Sequence, residues 1–225
     1  MWLSHKLLKI RIEQLTTDNG LLTTDKFRMI KIAKIVKSNS HVDYIGRVID
    51  RLDVDAPPEA EDYGFAQFVS LPVAENFEVI GVVYDTQLVN PEYGQFGPRL
   101  SPAADLAILS PDYLNEQGVL VGILLLGWRN GSEKRMSVPR RVIPVGQDVY
   151  RLDAGQVGEF HRDGGGRVGL HYYSQIVAHA GAFAVPLIET IIEQLDGVCT
   201  PEERQHFCVL KRSLAWQRTL GGVRL

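Results

Sequence analysis

The stretch His161-Arg162-Asp163, followed by Gly164-Gly165-Gly166-Arg167-Val168-Gly169, carries the residue types of three phosphate chemistries at once. His-Arg-Asp opens a kinase catalytic loop, G-x-G-x-x-G is the dinucleotide fingerprint, and Gly164 with Gly169 gives the glycine frame of G-x-x-x-x-G-K-[ST]. Each chemistry needs further groups at fixed spacing. A P-loop needs a lysine ammonium for the phosphates and a hydroxyl for magnesium, but Leu170 and His171 stand there. A dinucleotide site needs a hydrophobic strand before the glycines and a parallel strand after them; Glu189 has the spacing of the ribose-binding acid, yet "QVGEFHRD" before the glycines is polar. A kinase loop needs Asn five positions after Asp163, and that residue is Val168. The stretch therefore reads as a flexible joint before a helix. Its remaining chemistry is anion binding by Arg162 and Arg167 with free N–H groups at the N-terminus of a helix beginning near Leu170.

A second candidate is the segment "RNGSEKRMSVPRR", where Arg129, Lys134, Arg135, Arg140 and Arg141 face only Glu133. Such a loop offers sequence-independent, salt-sensitive contact with a nucleic-acid backbone. Lys211, Arg212, Arg218 and Arg224 form a second basic group near the C-terminus. With a net charge of -3, the whole chain has no global pull on polyanions, so only a local patch could supply it. Ser38, His41 and Asp43 have triad letters, but neighbours in sequence are not a triad in space, and "SNSHVD" reads as a turn between strands. Cys199, His206 and Cys208 lack paired metal spacing, and positions 206 and 208 lie on different faces of a helix. The expected pair is a buried Cys208 and a surface His206; His171 and His179 are read as surface or satisfied histidines. No catalytic residue, no metal and no cofactor is expected, and the protein is read as not an enzyme.

The elements that must hold these groups are of two kinds. Between residues 29 and 128, "MIKIAKIV", "VDYIGRVID", "GFAQFVSL", "NFEVIGVVYD" and "VLVGILLLGW" are apolar runs bounded by turn formers. Phe77, Val79, Gly81 and Val83 share one face while Ile80, Val82 and Tyr84 are also apolar, so both faces are covered. Gly46, Gly81 and Gly122 inside strands mark the bends that closing a small sheet requires. The acidic "DRLDVDAPPEAEDYG" and the segment Asn90 to Ser101 read as loops, and the basic segment marks the end of the barrel.

From Leu170 the period becomes helical. Leu170, Tyr173, Ile176, Val177 and Ala180 line one helix ended by Gly181, and Leu187, Ile188, Ile191, Ile192 and Leu195 line a second with Pro186 early in it. A third opens with a capping box, Thr200 and Glu203, and buries Phe207, Leu210 and Leu214. The fold class is α+β: a small closed or partly open antiparallel β-barrel followed by a C-terminal three-helix appendage. The expected divisions are an extension at 1–28, poorly packed and such as an upstream start codon would leave, a barrel at 29–145, a linker with the glycine joint at 146–169, and helices at 170–225.

Composition fits an ordinary globular chain, with 45% hydrophobic and 23% charged residues. Basic residues interrupt every apolar run of the N-terminus, unlike a secretory signal, and the longest apolar run, Val119 to Trp128, is half of what a membrane helix needs, about 20 residues. Two cysteines make no disulfide framework, so a reducing, cytoplasmic compartment and no membrane contact are expected.

On the strands "MIKIAKIVKSNSHVDYIGRVID", "GFAQFVSLP" and "FEVIGVVYDTQLVNPEYG", the chain resembles the HAS-barrel family, the small barrel of HerA-type DNA translocases and rotary ATP synthase subunits. The resemblance covers residues 29–128. It implies a barrel that helps assemble a ring or engage partners such as a nuclease. The family's P-loop ATPase domain has no counterpart in this sequence, and no catalytic residue carries over. The implied role is an accessory or assembly protein working through a protein partner, such as a P-loop ATPase or a nuclease, or through a homo-oligomer. The alternative is a nucleic-acid-binding accessory that uses the basic loop.

Overall fold

In the computed structural model, residues 29–96, 108, 112 and 116–221 are described. The expected extension at 1–28 lies outside them, as does Arg224. Among these residues seven strands follow in chain order: β1 (Lys31–Ser38), β2 (Asp43–Val48), β3 (Phe68–Ala74), β4 (Phe77–Val89), β5 (Gly118–Asn130), β6 (Glu133–Arg135) and β7 (Asp148–Arg151). Among the described residues, the α-helices that accompany them are α1 (Pro91–Phe96), α2 (Ala154–His161), α3 (Tyr173–His179), α4 (Ala184–Leu195) and α5 (Pro201–Gly221). Among the described residues, no helix is long and apolar enough to cross a membrane.

Six strands close into an antiparallel barrel in the order β1, β2, β5, β4, β3, β7 and back to β1. The closure follows from the length of β5. Its first half, Leu120 to Leu124, pairs with β2 on one side and β4 on the other. Its second half runs on past the end of β2 and pairs with β6 at Trp128, Arg129 and Asn130. Strand β6 therefore stands outside the barrel as a flap on the β4–β5 ribbon.

The glycines act where a small barrel must turn. Gly46, Gly81 and Gly122 each lie at a shift of strand register, in the β1–β2 pair for the first and the β4–β5 pair for the other two. At Gly81 a Cβ would stand 2.8 Å from Ile123 Cγ2 and 3.0 Å from the Leu124 carbonyl oxygen, so the two strands meet closer than any side chain allows.

The barrel does not end at the basic segment, and 146–169 is not a linker. Asp148–Arg151 is the strand that closes the barrel between β1 and β3, and Ala154–His161 is a helix whose N-cap, Asp153, accepts from the Gln156 N–H at 2.9 Å. Four residues with little alternation form β7 because β1 and β3 would otherwise leave two rows of backbone groups unpaired. Arg151 extends from β7 to the largely buried Asp62 at 2.6 Å, which fastens the acidic loop 50–64. The segment expected as a loop at 90–101 begins with α1.

Barrel and helices share one hydrophobic core that runs from Ile32, Phe68 and Ile80 to Tyr172, Ile188 and Leu214. In α4 the buried residues are Ala184, Leu187, Ile188, Ile191, Ile192 and Leu195, the expected stripe. In α3 the expected face is turned. The helix starts at Tyr173, Tyr172 enters the core, Ile176 and Ala180 follow at four-residue spacing, and Val177 is 48% exposed. Gly181 ends this helix with φ +55°, a left-handed conformation that glycine adopts without strain. The capping box of α5 forms as expected: the Thr200 N–H donates to Glu203 Oε2 at 2.8 Å, and the Glu203 N–H to Thr200 Oγ1 at 3.3 Å.

Candidate nucleic-acid interface

The β4–β5–β6 ribbon sorts the basic segment by strand periodicity. Phe77 pairs with Asn130, Val79 with Trp128, and Trp128 with Arg135. Phe77, Trp128 and Arg135 therefore project from one face, while Glu78, Arg129 and Lys134 project from the other. Phe77 and Trp128 stack at 5.7 Å between centroids with 22° between planes. The Arg141 guanidinium lies over the Phe77 ring at 4.4 Å, a cation–π contact worth about 0.5–1 kcal/mol at an exposed site. With Arg135, Val138 and Arg140 these groups line a groove of about 360 Å³.

The loop 136–147 that carries Arg140 and Arg141 is tied to the barrel at several points. His41 lies 2.7 Å from the Pro139 carbonyl, which can only accept, so Nε2 carries the proton and donates. The buried Ile143 donates its N–H to the Tyr44 hydroxyl at 3.3 Å, and the Gly146 N–H donates to the Ile35 carbonyl at 2.8 Å. The Gln147 amide donates to the Pro72 carbonyl at 2.7 Å. "SNSHVD" is the β1–β2 turn, in which Ser40 Oγ accepts from the Val42 and Asp43 N–H groups. Asp43 accepts from Asn39 and from the Tyr84 hydroxyl, so these residues brace a turn and a loop. Burial, and then the Asp43 carboxylate, push the Tyr84 hydroxyl well above the ordinary tyrosine range.

The five basic residues do not act alike. Arg129 pairs with Glu78 at 2.7 Å and keeps only 15% of its side-chain surface; the other Glu78 oxygen accepts from the Ser70 hydroxyl. The Lys134 ammonium donates to the Glu159 carbonyl of α2. Arg135 pairs with Glu133 at 2.9 Å on open surface, where such a pair contributes little. Arg140 and Arg141 are exposed and have no acidic partner among the described residues. Phe77 and Trp128, read in the sequence only as strand residues, are the part of the site that sequence reasoning missed. Their membership depends on register between distant strands.

The glycine stretch is an ordered hairpin rather than a flexible joint. Arg162 and Val168 form an antiparallel bridge, and Asp163 Oδ1 accepts from the Gly165 N–H at 2.7 Å and the Arg167 N–H at 3.0 Å. These backbone bonds, the one from Arg167 foremost, hold the Asp163 carboxyl below its usual range. Gly166 turns the chain at φ +80°. The Val168 N–H donates to Glu203 Oε1 at 2.8 Å, which ties the hairpin to the cap of α5.

The letters His-Arg-Asp have three separate structural tasks. His161, fully buried, donates Nδ1–H to the Val157 carbonyl and accepts from the Tyr172 hydroxyl at Nε2. Phe68 and Phe160 pack edge-on against its ring at 5.1 and 5.2 Å. Burial drives its pKa down to about 4, so the imidazole is neutral. Arg162 donates to the Gly166 carbonyl at 3.0 Å and the Val198 carbonyl at 2.8 Å. Arg167 is 83% exposed on its side chain and 3.4 Å from Asp163. The two arginines expected to share an anion thus point to different partners, and the following helix starts only at Tyr173.

The hairpin nevertheless meets the basic ribbon. A second cleft of about 400 Å³ is lined by Lys134, Arg135, Ser137, Phe160, Arg162 and His171. Arg135 and Ser137 line both clefts, so the two stretches meet at the flap β6, from whose opposite face Lys134 projects.

In α5, Cys208 is exposed and Cys199, just before the helix, is the buried thiol, the reverse of the expectation for Cys208. Burial raises the Cys199 pKa. His206 is exposed as expected, and Lys211 pairs with Glu193 at 3.0 Å. Among the described residues no group of three or more His, Cys, Asp or Glu is placed to hold a metal ion.

Residues 18–224 match the model of a family described as a domain of unknown function, DUF8166. The chain belongs to that family. The match embraces barrel, hairpin and helices together, in keeping with their single core, and begins within the segment expected as an extension. No curated protein matches the chain.

Proposed function

We propose that the protein is a non-catalytic accessory protein that holds nucleic acid against the flap β6 and the loop 136–147. The observation that carries this reading is the one face on which the Phe77–Trp128 stack is rimmed by Arg135, Arg140 and Arg141. Arginines neutralise backbone phosphates with release of counterions, and aromatic faces accept bases of any sequence. A chain of net charge -3 gains such affinity only where cations are concentrated and left without acidic partners, as Arg140 and Arg141 are among the described residues. The test is fluorescence anisotropy with labelled oligonucleotides across a salt series. Binding falls steeply with salt and is lost on Arg140→Glu with Arg141→Glu, while circular dichroism stays as in the parent and the loss of stability stays within the Arg141–Phe77 contact, about 0.5–1 kcal/mol. Absence of binding at low salt would overturn the reading.

A second reading, assembly on a protein partner such as a HerA-type translocase or a nuclease, draws on a different observation. Val142 and Val145 are 68% and 77% exposed on the loop beside the groove, where nothing among the described residues covers them. A closed antiparallel barrel is also what the HAS-barrel resemblance implies. Size exclusion with light scattering, with and without a candidate motor, tests it: a complex lost on Val142→Asp with Val145→Asp supports assembly, and elution as an unaccompanied monomer in every mixture removes it.

A further inference from the structure

The two mouths of the barrel carry opposite charge. Strand β7 begins at Asp148, directly after the loop 136–147, and ends at Arg151, which pairs with Asp62 of the loop 50–64. Strand β2 begins at Asp43, two residues after the His41 that holds the Pro139 carbonyl, and runs at its other end into the loop 50–64. The two loops therefore lie at opposite ends of the same strands. Loop 136–147 has Arg140 and Arg141 and no acid. Lys37 is exposed two residues beyond Ile35, whose carbonyl accepts from the loop's Gly146 N–H. Loop 50–64 has six acids and one basic residue, Arg51. Asp50 and Asp53 pair with Arg47, and Asp62 with Arg151. Asp55, Glu59 and Glu61 are exposed without a basic partner, as Lys37, Arg140 and Arg141 are without an acidic one, among the described residues.

Each mouth also displays apolar side chains on braced backbone. Leu52 is 68% exposed on a turn where its own N–H donates to Asp50 Oδ1 at 2.8 Å and the Asp50 N–H donates to Asp53 at 3.1 Å. At the other mouth the exposed Val142 and Val145 flank the buried Ile143. Loops already held in place lose little freedom when they are covered. We propose that what covers them is a second copy of this chain, docked end to end. The acidic loop of one copy brings Leu52 onto Val142 and Val145 of the next, and sets Asp55, Glu59 and Glu61 against Lys37, Arg140 and Arg141. Joining like mouths would oppose like charges, so complementary charge fixes the orientation. Such a contact is heterologous: every added copy leaves one acidic and one basic mouth free for another. The proposal does not rest on the nucleic-acid reading, because the acidic loop has no part in that site; a neighbouring copy and a nucleic acid exclude one another at Arg140 and Arg141.

Size exclusion with light scattering on the full chain, over a concentration series, tests it. At low salt the mean mass climbs with concentration past that of a dimer, and it returns to the monomer at about 1 M salt, where charges are screened beyond about 3 Å. Arg140→Glu with Arg141→Glu gives monomers, and so, separately, does Asp55→Lys with Glu61→Lys. Mixed in equal amounts the two variants associate, since each keeps the mouth that the other has lost, and this recovery shows that both are folded. Monomers of the native chain at every concentration overturn the proposal, as does association that only one pair of substitutions removes. A mass that stops at a dimer overturns it too, in favour of a closed antiparallel pair. If either doubly substituted chain fails to fold, Leu52→Ser serves: the concentration for half-association rises about tenfold or more, as loss of a buried leucine implies, and an unchanged value overturns the docking. Asp55→Lys with Glu61→Lys leaves oligonucleotide binding in place, so the two readings fail separately: growth in mass without oligonucleotide binding overturns the nucleic-acid reading alone.

Discussion

Two glycine-marked turns rich in arginine lie side by side on this molecule and dispose of their charge in opposite ways. In the hairpin 162–168, Arg162 is held by the Gly166 and Val198 carbonyls, and Arg167 faces Asp163. In the segment 129–141, Arg129 and Lys134 are likewise held, but the strand register sends Arg135 to the other face and the loop leaves Arg140 and Arg141 in the open. The number of basic residues in a stretch therefore says little about its pull on a polyanion. What counts is how many carbonyls and carboxylates the fold brings to each guanidinium.

The largest effect expected from this contrast is on the structural side of the hairpin. The buried His161 is neutral with a pKa of about 4, against an ordinary value of about 6.5 in the unfolded chain. Between those values the unfolded state binds the extra proton. The stabilisation is therefore whole above about pH 6.5 and is lost as the pH falls toward 4, by about 3 kcal/mol. Urea unfolding over this window measures it, and His161→Phe removes this part of the slope. An unchanged slope in the variant would break the assignment of His161 to the core.

Next is the seam between the two turns. At Gly127 a Cβ would stand 2.3 Å from the Arg135 carbonyl oxygen and 2.8 Å from Phe160 Cζ. Gly127→Ala forces β6 and α2 apart, costs about 1–3 kcal/mol as overpacking does, and weakens oligonucleotide binding at the same time because Arg135 moves. A loss of stability with unchanged binding would detach the clefts from the flap. Thr200→Ala removes the cap that holds the hairpin through Glu203, at a cost of about 1 kcal/mol in urea unfolding. The smallest effect is at Arg167→Ala. It leaves the urea midpoint and the anisotropy unchanged, whereas Arg140→Glu with Arg141→Glu costs no more than the Arg141–Phe77 contact, about 0.5–1 kcal/mol, and abolishes binding. Equal loss of binding from both would erase the contrast.

Much of the scaffold was legible because local signals agreed with the tertiary outcome. The α4 stripe repeats at helical spacing, Thr200 and Glu203 form their own cap, and the three strand glycines lie where the register shifts. The misses have physical causes. Strand β7 is too short to show periodicity and exists through its neighbours, and α3 is rotated because the Tyr172 hydroxyl bonds the buried His161. Of the candidate site, the cations were named from charge alone, but Phe77 and Trp128 were not, since a stacked pair from two strands has no signature in either.

By itself the sequence determined the main barrel strands, the α4 stripe and the α5 cap, and showed that its glycine stretch lacks the P-loop lysine, because periodicity, caps and a missing lysine are properties of neighbours along the chain. Which arginines remain open, that residues 129–141 and 162–171 share a wall, and that an aromatic pair lies beneath the open cations were decided by the tertiary structure. These depend on strand register and on carbonyls contributed from far along the chain, and neither is fixed until the barrel closes.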